Sequence, residues 1–438
     1  MFKKIADAFR VKDIRHRMLY VLLCLVIIRI GAQIPVPGVD SSYFKQWFSS
    51  QTSDAFNFFD AFTGGSFESF SILALSITPY ITSSIIIQLL TIAIPALEEM
   101  QRDGEDGRKK MVAITRYLTV GLALFESIAM TIGFGNQGLI TDLNFVKGVV
   151  IVASLTAGSA FLMWIGEQMT EKGIGNGISM VLLINIISRL PSNLTSLYEQ
   201  FISTKTLAKG VLAGLIIAAI IVMMVVLVIL LNDAVRNIPV QYSKKMVGRR
   251  VYGGNASHIP LKINTGGVIP VIFASSLMSF PGIIATFAGK TSSDGVWGTI
   301  LGILSQSNWF TWTKPIYNIG LIIYILLILF FAYFYTSITF NPLEVADNLK
   351  KQGGLIPGIR PGKQTSDYLS RILKYIIFIG ACGLIIVAII PLFFNGVFNA
   401  SVSFGGTSLI IIVSVILEAI NQTESMMVVR NYKGFLND

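Results

Sequence analysis

The chain has 438 residues, of which 53% are hydrophobic and only 13% are charged, and its mean hydropathy is +0.68. This composition excludes a soluble globular domain and indicates a protein that crosses a membrane many times. A net charge of +10 fits either nucleic-acid binding or basic cytoplasmic loops, so the positions of the charges decide between the two.

The N-terminal residues 1–17 are predicted to form an amphipathic cytoplasmic helix. Phe2, Ile5 and Phe9 fall on one face of it, and six Lys or Arg residues share the segment. The apolar run 18–34 comes next and lacks a small-residue cleavage site. Its length is closer to that of a membrane span than to that of a secretion signal, so we interpret it as the first span.

The order of apolar runs predicts an all-α polytopic membrane protein with ten spans in two five-helix halves. The spans are predicted at 18–34, 71–92, 111–133, 146–166, 178–190, 207–231, 267–288, 316–340, 372–394 and 407–428. The first half covers 18–190, an external hinge loop covers 191–206, and the second half covers 207–428. The fifth run has few residues before Pro191, so it is either partly unwound or continues past that proline.

The basic residues predict the orientation of these spans. With a cytoplasmic N-terminus, 26 of the 34 Lys and Arg residues fall in cytoplasmic segments or at the cytoplasmic ends of spans, 7 fall in external segments or at external ends, and Arg29 lies inside the first span. This bias places both termini, including the tail 429–438, in the cytoplasm. The loops 232–266 and 341–371 are larger than the topology requires, and they are either solvated basic loops or docking surfaces for an acidic or RNA-containing partner.

The segment 63–90 resembles a membrane span that has been cut in two. Its first part contains Gly64, Gly65 and Glu68, and its second part is apolar with Pro79 inside the run. Such a segment is tolerated at membrane depth only if protein covers it or it lines an aqueous cavity. A proline followed by a Ser-Ser pair recurs from Pro270 in the seventh run, which indicates an inverted repeat of the two halves.

Signatures of enzymes and metal sites do not assemble. The sequence GIRPGKQT lacks the first glycine and the Ser or Thr of a phosphate-binding loop, and His16 and His258 are far apart in basic segments. Cys24 and Cys382 have no zinc or redox spacing. We therefore expect no cofactor, no metal and no enzyme activity. Glu126 is a candidate for coupling ion transport, but structural pairing or interfacial placement is the favoured interpretation.

Several long segments resemble the SecY family of protein-export channels. They occur in the family's order and read ITPYITSSIIIQLL, FLMWIGEQMTEKGIGNGIS, GRRVYGGNASHIPLKIN, GVIPVIFASS, FNPLEVADNLKKQGG with IPGIRPG, and FGGTSLIIIVSV. The resemblance implies a clamshell of two halves around an hourglass pore, through which unfolded secretory polypeptides pass. It also implies a lateral gate, where spans two and three face spans seven and eight, that releases signal sequences and membrane segments into lipid.

The resemblance implies roles for particular residues. The apolar ring that closes the pore corresponds to Ile81, Ile85, Leu182, Ile186, Leu277 and Ile411. A plug segment, 57–70, would lie below the ring and includes Phe58, Phe59, Phe62, Gly64, Gly65 and Phe67. Polar residues expected to hold the gate closed are Thr82, Ser83, Gln88, Ser275 and Ser276.

The implied partners are SecE, SecG, a secretory preprotein, the lipid bilayer, and the SecA ATPase or the ribosome. Arg249, Arg250 and Arg360 are the expected contacts for the motor or ribosome, because the planar guanidinium group binds carboxylates and phosphates bidentately. The expected location is the bacterial plasma membrane. Two alternatives are an ion-coupled small-solute transporter with the same inverted repeat and a structural scaffold for partner subunits.

Overall fold

The computed structural model describes residues 9–50, 60, 62–140, 144–203, 207–242, 245–247, 250–252, 256–287, 296–310, 315–398 and 406–434. Most of these residues are helical. The helices are α1 (Lys12–Gly31), α2 (Ser41–Ser50), α3 (Thr78–Ala93), α4 (Pro95–Arg102), α5 (Gly104–Asn136), α6 (Phe145–Lys172), α7 (Gly177–Tyr198), α8 (Leu207–Asp233), α9 (Ile269–Phe287), α10 (Val296–Leu304), α11 (Asn318–Thr339), α12 (Pro342–Lys351), α13 (Lys363–Phe398) and α14 (Gly406–Gly434).

Each predicted apolar run falls in a helix of its own: α1, α3, α5, α6, α7, α8, α9, α11, α13 and α14. Within the described ranges, seven helices are long and apolar enough to cross a membrane. An eighth candidate is the pair α3 and α4, which meet at 107°, and a shorter apolar helix lies at Ile269–Gly282. The ten-span prediction is compatible with this architecture. Residues 1–8 of the predicted amphipathic helix lie outside the described residues.

Local chemistry explains where two of the central helices begin. Pro79 stands in the first turn of α3, where a backbone N–H has no partner within the helix, so the proline starts the helix and does not break it. Pro270 has the equivalent place in α9. The α7 helix begins after Asn176, whose side chain accepts hydrogen bonds from the backbone N–H groups of Ile178 and Ser179.

The fifth span continues past its proline. The α7 helix runs through Pro191 to Tyr198, and a π-helical turn extends it through Glu199–Ser203. The residues predicted as the external loop 191–206 are therefore helical as far as Ser203. The Thr195 hydroxyl donates to the Pro191 carbonyl at 2.9 Å, which gives that carbonyl a partner in the turn after the proline.

Helices of the two halves pack on each other at the centre of the molecule. In the first half, α5 packs on α3 and α6, and α6 packs on α7; in the second half, α11 packs on α9 and α13. Contacts between halves join α5 to α9 and α7 to α14. One apolar core cluster contains buried residues of both halves, so the centre of the molecule is apolar.

The two large basic loops meet in one small sheet. Strands β1 (Val235–Tyr242) and β4 (Ala256–Lys262) follow α8, and β5 (Gly354–Leu355) follows α12. The antiparallel order is β4-β1-β5, with Ile238 opposite Ile259 and Gln241 opposite Leu355. A separate hairpin pairs β2 (Lys245–Val247) with β3 (Arg250–Tyr252).

Candidate functional site

Residues 64–77 form buried turns ahead of α3. The predicted span 71–92 is therefore helical only from Thr78, and Leu73, Leu75 and Ile77 are buried without helical backbone. The backbone dihedral φ is +44° at Phe70 and +52° at Ser76, which is rare for residues other than glycine. Such backbone is tolerated at membrane depth because surrounding protein supplies its hydrogen-bond partners.

Side chains of α6 and α7 supply these partners. The Asn185 side-chain amide donates to the Phe62 carbonyl at 3.0 Å and to the Ser76 hydroxyl at 3.1 Å. The Ser159 hydroxyl donates to the Ser76 carbonyl at 3.2 Å. Asn185 is itself buried, and its side chain connects both Phe62 and Ser76 to the fifth span.

Gly64 and Gly65 lie directly against α7. Their φ angles are +66° and +88°, and a β-carbon on Gly64 would lie 2.8 Å from the Asn185 Cα atom. The Gly64 carbonyl accepts hydrogen bonds from the Ser188 hydroxyl at 3.2 Å and from the Arg29 guanidinium group at 3.1 Å. Glycine is required at position 64 by both the left-handed backbone and the close approach.

Four charged side chains surround this glycine turn and form what we call the four-charge cluster: Arg29, Asp60, Glu68 and Arg189. The Arg189 guanidinium group forms ion pairs with the carboxylates of both Asp60 and Glu68. Asp60 also accepts a hydrogen bond from the Glu68 backbone N–H at 3.0 Å. Two cations and two anions balance in this largely buried place, which lowers the cost of removing them from water.

Sequence reasoning noted Glu68 and Arg29 but did not pair either of them, and it did not select Asp60 or Arg189. The sequence does contain a signal for Arg189, because this cation lies two residues before the proline that follows the shortest predicted span. The pairing joins residues more than 100 positions apart, which a single sequence does not reveal.

The aromatic residues of the plug segment divide between two cores. Phe67 is buried with Phe44 and Phe134, and its ring centroid lies 6.0 Å from that of Phe134. Phe62 is buried in the central apolar cluster. Phe58 and Phe59 lie outside the described residues. The described plug residues are therefore packed on both sides of the glycine turn.

Five of the six predicted ring residues share the central apolar cluster. Leu182 and Ile186 on α7 and Ile411 on α14 are buried in it. Ile81 and Ile85 on α3 are half-buried and pack against it. The cluster therefore joins these residues of α3, α7 and α14 at the boundary between the halves.

Leu277 does not lie with the other five. Its side chain is 52% exposed, together with Phe280 and Ile284 on the same side of α9, whereas the next residue, Met278, is 2% exposed and belongs to the central cluster. The helical period explains the difference, because Val271, Ala274 and Met278 recur at spacings of three and four and face inward. Adjacent residues of an α-helix point about 100° apart around the helix axis, so Leu277 and Met278 face different sides of α9.

The predicted gate residues bond within their own half. On α3, the Thr82 and Ser83 hydroxyls donate to the carbonyls of Thr78 (3.1 Å) and Pro79 (2.7 Å), and the Gln88 amide donates to Ser84. In the second half, the Ser275 hydroxyl on α9 is hydrogen-bonded to the Tyr324 hydroxyl on α11 at 3.2 Å, and Ser276 is half-buried.

Among the described residues, none of these side chains bonds from α3 to α9. The expectation that they hold the two halves together is therefore not met in this structure. The physical reason is that hydroxyl groups on a helix reach the carbonyl one turn earlier more readily than a neighbouring helix.

The basic loop residues lie beside the small sheet. Arg360 is exposed in the turn that follows β5, and its carbonyl accepts a hydrogen bond from the Thr365 hydroxyl at 2.9 Å. Arg250 lies in β3, and Arg249 falls outside the described residues. A separate ion pair, between two spans of the first half, joins the Glu167 carboxylate on α6 to the Arg116 guanidinium group on α5 at 2.8 Å. Of the three predicted contact residues, Arg360 is the one whose side chain is described, and it is exposed.

The apolar helices, the buried turn segment and the two packed halves define a multi-pass helical membrane protein with the fold of a protein-conducting channel. A solved structure described as a protein-conducting channel superimposes with a TM-score of 0.64 at 19% identity, covering 94% of this chain and 92% of that one. A Sec61 structure from a canine ribosome–channel complex of the endoplasmic reticulum gives a TM-score of 0.59 at 18% identity, with the same coverage.

The family model for SecY matches residues 71–420. The protein translocase subunits SecY of Halalkalibacterium halodurans and Bacillus subtilis are each 42% identical to the chain, and 100% of both sequences is covered in each case. The SecY subunit of Thermotoga maritima is 37% identical, covering 100% of this chain and 98% of the relative. The chain belongs to the SecY family.

Proposed function

We propose that this chain is the channel subunit of a bacterial protein translocon. In this proposal, unfolded secretory polypeptides pass between the two halves, and signal sequences and membrane segments leave sideways through a gate formed by α3 and α5 against α9 and α11. The observation that carries the proposal is the apolar cluster at the boundary of the halves, directly beside the packed turns at 64–70 of the plug segment. An apolar constriction excludes ions by dewetting but widens when side chains move.

The pore ring in this proposal consists of Ile81, Ile85, Leu182, Ile186 and Ile411. Met278 takes the place that sequence resemblance gave to Leu277, because Met278 is the buried residue of that pair. A flexible thioether keeps the constriction apolar and deformable. The closed state then has two layers, the ring and the plug segment, and the plug is held by the four-charge cluster.

Partners supply the energy and direction of transport, and we ascribe no catalytic chemistry to this chain. The solved structures with this fold include an idle yeast Ssh1 complex bound to the yeast 80S ribosome, which supports a ribosome as a partner class for the fold. We propose that SecA or the ribosome docks at the sheet β4-β1-β5 through Arg249, Arg250 and Arg360, and that SecE and SecG complete the complex. The charge bias supports a plasma-membrane location with both termini in the cytoplasm.

The test is crosslinking to a substrate arrested in transit. Cys24 and Cys382 are replaced with alanine, and single cysteines are introduced as Ile81→Cys, Met278→Cys and Leu277→Cys. The proposal expects the first two to crosslink to the polar part of an arrested secretory chain and Leu277→Cys to react with lipid-soluble probes instead. Absence of substrate crosslinks at position 81 contradicts the channel path, and substrate crosslinks at 277 without 278 contradict the revised ring.

An ion-coupled solute transporter is less consistent with the described site. A solute needs polar partners at the midplane, whereas the boundary between the halves is lined by aliphatic side chains. Among the described residues, the Glu126 carboxylate forms no hydrogen bond or ion pair and is not joined to a second acidic group. Solute uptake by vesicles that contain only this chain is the outcome that would favour a transporter.

A further inference from the structure

Helix α10, between α9 and α11, presents an apolar face with nothing described packed on it. Val296 is 77% exposed and Trp297 64% exposed, and Ile300 is exposed on the same side of the helix. Their spacing places them within about 100° of the helix circumference. No residue of α10 is buried, so this face is a surface and not a flank of the core.

The other side of α10 is held firmly by its neighbours. The Asn308 side-chain amide donates to the Gly302 carbonyl at 3.2 Å, and the indole N–H of Trp309 donates to the Ile303 carbonyl at 2.8 Å. A β-carbon on Gly302 would lie 2.8 Å from the Tyr317 ring. These bonds satisfy carbonyls at the end of the helix, so the exposed face has a defined orientation.

The exposed face is continuous with the lipid-facing sides of the flanking spans. Phe280 and Ile284 are exposed on the preceding part of α9, and Ile316 and Ile319 are exposed where α11 begins. No charged residue occurs from Val296 to Phe310. In a multi-pass membrane protein, the exposed apolar sides of spanning helices face lipid, and α10 extends that surface at the ends remote from the sheet.

We infer that the Val296, Trp297 and Ile300 face of α10 inserts into the interfacial region of the lipid leaflet on the side opposite the sheet β4-β1-β5. Tryptophan suits this depth because its ring is apolar and its N–H is polar. The occupant is lipid, and because α10 carries no Lys or Arg, zwitterionic lipid suffices. The inference depends on membrane embedding and not on passage of a polypeptide, so it stands or fails independently of the proposed function.

The experiment places a nitroxide spin label on the full-length chain in phosphatidylcholine vesicles. The labelled variants are Ile300→Cys and Val296→Cys, in a background with Cys24 and Cys382 replaced by alanine. Ser42→Cys, at an exposed position in the first turn of α2, serves as the water-facing control. Collisions with oxygen report lipid, and collisions with a water-soluble nickel chelate report water.

The inference expects labels at 296 and 300 to favour oxygen over nickel, at a depth of about 5–10 Å below the headgroup boundary, while the label at 42 favours nickel. Adding anionic lipid or salt leaves the depth unchanged. Nickel accessibility at 300 equal to that at 42 overturns the inference. Spin–spin broadening between copies, or labels shielded from both reagents, also overturns it, because protein then covers the face. Circular dichroism confirms that each variant is folded.

Discussion

The Arg29 guanidinium group donates a hydrogen bond of 3.1 Å to the carbonyl oxygen of Gly64, which joins the first span to the glycine turn of the plug segment. On the other side of that turn, Arg189 of α7 pairs with Asp60 and Glu68. The plug segment is thus held between two spans of the same half by charge-assisted bonds. Charge-assisted hydrogen bonds are strong when both partners are present, and a buried charge that loses its partner is costly. We therefore expect these bonds to break together when the plug segment leaves its place.

Arg189→Gln is expected to release the plug segment. The change leaves two carboxylates beside one cation, and the loss of about 3 kcal/mol that follows from breaking a buried ion pair corresponds to a roughly 100-fold larger open population. Single-channel recording in planar bilayers, with no substrate present, measures this as an increase in resting ion conductance.

Arg189→Lys is the matched control for that variant, since it keeps the charge and loses the bidentate fork. Its resting conductance is expected to fall between those of the wild type and Arg189→Gln. Glu68→Gln combined with Arg189→Gln leaves one carboxylate, Asp60, beside one cation, Arg29, so the charges balance again and the variant is expected to leak less than Arg189→Gln alone. Equal conductance in all four proteins would show that the four-charge cluster does not hold the plug.

Gly64→Ala is expected to destabilise the packed plug more than a glycine substitution elsewhere. An added β-carbon meets the Asn185 backbone at 2.8 Å, in addition to the strain of a φ angle of +66°. Gly38→Ala is the control, because its φ is +87° and nothing described lies within 4 Å. Strain alone costs about 1–2 kcal/mol. Thermal unfolding in detergent should therefore give a lower Tm for Gly64→Ala, and equal values would contradict the close contact.

Replacing both Ile81 and Ile85 with glycine is expected to leave the channel leaky to ions. The two side chains pack against the central cluster from α3, and their loss widens an apolar constriction until water and ions enter. Ile92→Gly on the same helix is the control, because its exposed side chain points away from the cluster and the substitution has a similar cost in helix propensity. Planar-bilayer recordings without added conductance in the double variant would refute the ring assignment.

Arg360→Glu is expected to abolish translocation driven by SecA while leaving the protein folded and inserted. Arg360 is exposed and its side chain is available to an acidic partner, so the reversed charge repels what the arginine attracts. Lys109→Glu is a control with the same change in charge at an exposed position of α5. Transport of a preprotein into inverted vesicles measures the effect, and full activity of Arg360→Glu would exclude the contact.

Hydrophobic length and charge were sufficient to predict the helices and their order. Ten apolar runs correspond to ten helices, because lipid allows few alternatives to a helix for an apolar run of that length. The predicted helix bounds were wrong where a segment at membrane depth is surrounded by protein and not by lipid. Residues 71–77 are mostly apolar but not helical, and there the Ser159 hydroxyl donates to the Ser76 carbonyl and the Asn185 amide donates to the Ser76 hydroxyl. The α7 helix continues through Pro191, where the apolar run alone left the outcome open.

The candidate site was predicted in composition but not in arrangement. Leucine and methionine at 277 and 278 are both acceptable in an apolar ring, and only the phase of α9 places Met278 inward. The four-charge cluster required knowing that the turn at Gly64 lies against the end of α7. Tertiary contacts of this kind depend on packing between distant segments, which a hydrophobic pattern does not encode.

The sheet β4-β1-β5 draws its strands only from the second half, with β1 and β4 between α8 and α9 and β5 between α11 and α13. The sheet is therefore connected along the chain to the spanning helices α8 and α9, to α11 through α12, and to α13 through the turn after β5. Among the described residues, the first half contributes no strand to it. A partner that binds only this sheet is therefore attached to the second half. We expect a displacement of the sheet to change the distance between the two halves without any contact between the partner and the first half.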